Sequence, residues 1–141
     1  MGCYNSTVVP AGVDEVWKRL RNFHDMDWAP DVIESCEVVG DIPGTQIGAK
    51  RILNQAFHET LLALDDTERT LKYSIDDGPE AVSRDNVSDY LGEVSVFPVT
   101  DDNRTFVLWK SSWGDSGGGV AEFCDPIYKA LLDALKSHFA K

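Results

Sequence analysis

The chain has 141 residues, 43 % hydrophobic and 26 % charged, enough for one domain with a single core that needs no staples. Its formal net charge of −11, from 24 acidic and 13 basic side chains, repels polyanions, and no Lys/Arg cluster offsets it; nucleic acid and membrane are excluded as partners. The three cysteines, Cys3, Cys36 and Cys124, make no C-x-x-C pair and predict free thiols. With no apolar run near ~20 residues and no basic-then-apolar leader, the expected compartment is the cytoplasm.

Met1-Gly2-Cys3-Tyr4-Asn5-Ser6 fits an N-myristoylation pattern, yet Cys3 to Val9 mixes β-branched and polar residues and reads as a strand in which Gly2 would be tied down. After Pro10-Ala11-Gly12, Val13, Val16, Trp17, Leu20 and Phe23 recur at helical spacing. A second short helix is expected over His24 to Trp28, stopped by Pro30. The period then changes to two. Strands are predicted at Ile33–Val39, Ile47–Leu53, Phe57–Asp65, Leu71–Asp76, Val87–Val99 and Arg104–Trp113. The polar stretch Asp77 to Asp85, with Gly78-Pro79, is the longest connection. Gly117-Gly118-Gly119 lets the chain turn into a long helix, Val120–Phe139, whose apolar stripe is Val120, Phe123, Cys124, Ile127, Leu131 and Leu135.

These elements make one α+β domain over 1–141, a curved antiparallel sheet of about seven strands around the last helix. A helix is about 10 Å across. Seven strands at about 4.8 Å span roughly 30 Å. One helix does not cover that face, so an apolar hollow is expected between the two.

If Asn54 to Ala56 closes a three-residue hairpin loop, Leu53 faces Phe57 and Arg51 faces Glu59, on one face with Ala49, Leu61 and Ala63. The opposite face, with Ile52, Leu62 and Leu64, is only slightly more polar. Trp109 and Trp113 share a face with Thr105, Val107 and Ser111 and suit either a cavity wall or plain core. Tyr73 and Tyr90 carry hydroxyls into apolar faces, with Tyr90 as a polar cavity group and Val94 on the same strand. Trp28 packs near the mouth, and Phe123, Ile127 and Leu131 supply the helix side. Gly114-Asp115-Ser116-Gly117-Gly118 imitates a serine-nucleophile motif, but meandering strands do not make a hydrolase sheet. His138 lies some 30 Å along the helix axis from Ser116. His24, Asp25 and Asp27 match no metal spacing, so neither metal nor organic cofactor is implied.

Several short segments, in order, resemble the START-like (SRPBCC, Bet v 1-like) superfamily with its helix-grip fold. They are Val16-Trp17 with Leu20 and Phe23, Trp28-Ala29-Pro30, Glu37-Val38-Val39-Gly40, Gly48 with Arg51, and Glu59-Thr60-Leu61. Asp65-Asp66 with Arg69, Tyr73-Ser74-Ile75, and Val96-Phe97-Pro98 with Thr105 and Trp109 complete the series. The chain is most similar to the polyketide cyclase/dehydrase branch, which also takes in lachrymatory-factor-synthase-like proteins. The resemblance implies a deep cavity for apolar or amphipathic ligands. It also implies that an inward Arg51 and Glu59 act as anion clamp and proton shuttle, Glu59 as general base and Arg51 as oxyanion stabiliser. Ligand orientation, catalysis and a structural ion pair all remain open for the two residues. Three functions compete: a binding or carrier module, a cofactor-independent cyclase/dehydratase-like lyase, and an interaction protein with a collapsed cavity. Phe106 and Leu108 on the outward face leave monomer and homodimer both open.

Overall fold

The computed structural model describes residues 2–140. Seven strands form one antiparallel sheet in the order β1-β7-β6-β5-β4-β3-β2. They are β1 (Gly2–Val9), β2 (Cys36–Val39), β3 (Lys50–Leu53), β4 (Phe57–Asp65), β5 (Thr70–Asp77), β6 (Leu91–Pro98) and β7 (Thr105–Ser112). Helix α1 (Val13–Leu20) follows β1, and α2 (Val120–Phe139) closes the chain. Gly2 begins β1 opposite Ser112, so the first residues do enter the sheet.

Helix α1 carries Asp14 and Glu15 in its first turn and Lys18 and Arg19 in its last, matching the helix dipole, while Val16, Trp17 and Leu20 face the core. The second helix expected at His24–Trp28 does not form. Asn22 Oδ1 accepts from the His24 amide and Asp25 Oδ1 from the Asp27 amide, so side chains take the amides a helix would use. β2 is shorter than Ile33–Val39 for a related reason. The Ile33 amide turns back to the Ala29 carbonyl, and Asn54 Oδ1 accepts from the amides of Glu34 and Ser35. β3 starts late because Gly48 has φ +96°, which leaves Ile47 65 % exposed. At the start of β6, Asp89 has φ 55°, and Val87 makes only an isolated bridge to Ser116. The polar 77–85 connection contains a 3₁₀ turn, Glu80–Val82, whose Val82 is buried.

Curvature is built into the pairing of β4 with β5. Register shifts between His58 and Glu59 and between Leu61 and Ala63 bend the sheet there. The second shift also changes the phase, so Leu64 rather than Ala63 packs against the core. Gly118 (φ +104°) and Gly119 (φ +80°) turn the chain into α2, which lies on β1 and is tied to it by Asn5 Nδ2 donating to Asp125 Oδ1 at 2.9 Å. The buried stripe of α2 is Val120, Cys124, Tyr128, Leu131, Leu132 and Leu135, while Phe123 and Ile127 are half-buried at its margin.

Tyr73 of β5 pairs with Gly92 of β6, and its ring lies across that glycine. A Cβ at Gly92 would sit 2.2 Å from the ring carbon Cζ. Gly92→Ala therefore evicts the ring and should cost about 1–3 kcal/mol in urea unfolding, as overpacking does. An unchanged midpoint would show that the ring has room to move aside.

Candidate ligand-binding site

The three-residue loop after β3 places Arg51 opposite Glu59, with Leu53 opposite Phe57, and both charged side chains point inward. Arg51 is 6 % exposed and Glu59 5 %. Arg51 Nε donates to Glu59 Oε1 at 2.8 Å, and Nη2 lies 2.7 Å from the same oxygen. Nη1 donates to the Phe23 carbonyl at 2.8 Å and meets Met26 Sδ at 3.5 Å. The guanidinium stacks 3.7 Å from the Phe23 ring centroid. The cation is thus held by Glu59, by the Phe23 carbonyl and ring, and by Met26. Burial pushes the Glu59 carboxyl above its ordinary value, against the pull of Arg51.

A cavity of about 120 Å³ adjoins this pair, between β3–β5, β7 and α2. Its buried part is formed by Met26, Arg51, Leu53, Glu59, Tyr73, Trp109, Cys124, Tyr128 and Leu131. Half-buried Val32, Ile33, Asn54, Phe57, Ile75 and Ile127 form the side toward solvent. Asn54 fixes this mouth: besides accepting from Glu34 and Ser35, its Nδ2 donates to the Val32 carbonyl at 3.1 Å. Asn54 and Gln55 have φ of 53° and 58°, the left-handed turn that aims the carboxamide at the 32–35 loop.

A chain of hydroxyls lies under the cavity. Trp109 Nε1 donates to Tyr73 Oη at 3.0 Å; Tyr73 Oη is 3.4 Å from Tyr128 Oη, which in turn hydrogen-bonds Tyr90 Oη. Burial pushes all three phenols up, and Cys124 beside them is pushed up to about 11. They remain protonated at any physiological pH.

Of the residues anticipated from sequence, Arg51, Leu53, Phe57, Glu59, Tyr73, Trp109, Ile127 and Leu131 line this cavity. Six do not. Leu61 is fully buried in the core, and Trp28 and Val94 border a separate void of about 20 Å³. Tyr90 sits behind Tyr128, Trp113 stacks on Tyr90 at 5.8 Å, and Phe123 stacks on Phe57 at 6.3 Å. Lining residues not anticipated include Met26, Val32, Ile33, Asn54, Ile75, Cys124 and Tyr128. Tyr128 had a signal, since it falls four residues after Cys124 and three before Leu131 on the helix stripe. Elsewhere, Ser116 Oγ accepts from the Gly118 amide, and His24 Nε2 contacts the Lys50 carbonyl. A wider surface groove of about 500 Å³ runs between the 27–32 turn and α2, with Asp27, Asp31 and Asp133 along it.

A family model described as polyketide cyclase/dehydrase and lipid transport matches residues 3–140. The chain belongs to this family. A protein from Nitrosospira multiformis is 44 % identical, with a TM-score of 0.94, over 99 % of this chain and 96 % of its own. A Bacillus thuringiensis protein is 23 % identical with TM-score 0.80 over 100 % of both chains. Major latex-like protein 151 of Panax ginseng is 13 % identical with TM-score 0.79, over 100 % of this chain and 98 % of its own. At those identities the likeness speaks for the fold, which is the helix-grip, Bet v 1-like arrangement. No curated protein matches the chain in sequence. Among the described residues no helix is long and apolar enough to cross a membrane.

The raised Glu59 value has a thermodynamic consequence. Between the ordinary 4.5 and its folded value, the folded protein holds more proton at Glu59 than the unfolded chain. That contribution to stability is full below 4.5 and lost as pH rises through the folded value. Urea denaturation of the protein and of Glu59→Gln over this window should give a stability difference, protein minus variant, that shrinks with rising pH. A difference that widens would mean Arg51 outweighs burial.

Proposed function

We propose that this domain binds a small apolar or amphipathic molecule in the cavity between the curved sheet and α2. One observation carries the reading: an apolar-walled cavity of about 120 Å³ ends on buried polar groups, Arg51, Glu59, Tyr73 and Tyr128. Apolar walls supply affinity by removing ligand surface from water, and a few fixed polar groups set its orientation. The volume argues for a ligand of one ring or a short chain, because an engineered cavity of about 150 Å³ holds benzene. Membership of a family described by lipid transport as well as cyclase chemistry is compatible with carriage or turnover. The three free cysteines support a reducing compartment, which we take to be the cytoplasm.

A second reading, a cofactor-independent cyclase/dehydratase-like lyase, is favoured by the raised carboxyl of Glu59 on the cavity wall, a group suited to general acid/base work. In that reading Arg51 is the anion stabiliser, but most of its N–H groups are spent on Glu59, Phe23 and Met26. The carrier reading stands first for that reason. Glu59→Gln separates the two: it spares ligand affinity in a carrier and abolishes turnover in a lyase.

Native mass spectrometry of the purified protein should reveal a bound small molecule of one-ring size, and adding that molecule should raise Tm. A protein that arrives empty and whose Tm no ring-sized compound shifts is not a carrier of this kind. Leu131→Ala should cost about 2–5 kcal/mol without ligand and extend the size of ligand accepted. If the enlarged cavity still takes nothing bulkier, the mouth rather than the cavity limits size.

A further inference from the structure

The hydroxyl chain names the chemistry of the ligand. We infer, resting on the binding reading above, that the cavity selects a neutral, ring-sized molecule whose carbonyl oxygen accepts from the phenols of Tyr73 and Tyr128. Tyr73 Oη accepts from Trp109 Nε1 at 3.0 Å, so its own proton must go elsewhere. Its other hydrogen-bond partner is Tyr128 Oη at 3.4 Å, beyond the ~2.5–3.0 Å of a good O–H···O bond. Tyr73 is 2 % exposed, and both phenols line the cavity.

At its far end the chain is satisfied, because the Tyr90 hydroxyl has Cys124 and Ser111 as further side-chain partners beside Tyr128. The weak link is the long Tyr73–Tyr128 contact, and it lies on the cavity. A ligand oxygen beside Tyr73 and Tyr128 replaces the loose contact with a well-made one and relieves an under-satisfied buried donor. Burial holds the phenols protonated, so they remain donors.

Charge points the same way. The Arg51 cation is matched by Glu59 and most of its N–H groups face protein acceptors, so a carboxylate ligand would bring a second anion with no cation of its own. A neutral acceptor meets no such cost.

The test compares three ring-sized probes by NMR titration: cyclohexanone, methylcyclohexane and cyclohexanecarboxylate. Cyclohexanone should bind about tenfold more tightly than the hydrocarbon, the worth of one hydrogen bond, and the carboxylate most weakly. Its carbonyl stretch should move to lower frequency on binding. Tyr73→Phe and Tyr128→Phe should each remove most of the preference and of the frequency shift while keeping hydrocarbon affinity, which also reports that each variant is folded. Equal binding of ketone and hydrocarbon, an unshifted carbonyl band, or tightest binding of the carboxylate overturns the inference and leaves the binding reading standing. If none of the three probes binds, both readings fail.

Discussion

A single helix must cover most of a seven-stranded face, and the space it leaves is filled by rings. Trp109, Tyr73, Tyr128, Phe23 and Trp28 are all buried between sheet and α2 or beside them. Large aromatic groups fill such a gap at low conformational cost, but indoles and phenols carry polar atoms that need partners once water is gone. The Trp109–Tyr73–Tyr128–Tyr90 chain is how the fold meets that need. The same constraint therefore shrinks the hollow to ring size and gives it a polar floor.

Arg51 and Glu59 answer a second demand. Two opposite charges in so dry a place persist only where pairing and hydrogen bonds offset their desolvation. The offset comes from three directions: the facing strand, the Phe23 carbonyl and the Phe23 ring. The Asx turns that displaced the expected second helix bring Phe23 and Met26 over the guanidinium, so the loop after α1 is part of the site's architecture. Tyr73 reaches the cavity only because Gly92 across the ladder offers no Cβ.

Much of this was legible in the chain. The limits of β4 and α2, the meander from β2 to β7, and the Arg51–Glu59 register all follow from period and loop length, which are local properties, whereas the pairing of β1 with β7 does not. The losses arise where side chains bond to backbone over distance. Asn54 draws the amides of Glu34 and Ser35 out of β2, and no periodicity announces that. The register shift beyond Leu61 reverses which of Ala63 and Leu64 faces inward, because alternation counts residues and cannot see an inserted one. Tyr128 falls on the buried stripe of α2 by its spacing from Cys124 and Leu131, although the stripe read from the sequence passed over it. Trp113 and Phe123 were assigned correctly to apolar faces, yet stacking on Tyr90 and Phe57 keeps them from the lining.

The cancelled pair at the heart of a chain with formal charge −11 separates the interior from the exterior electrically. Ionic strength screens the outer field over about 10 Å at 0.1 M but scarcely reaches a buried pair. Screening by added ions would then leave the proposed uptake of an uncharged guest unchanged, while the outer surface sets which ions gather around the protein.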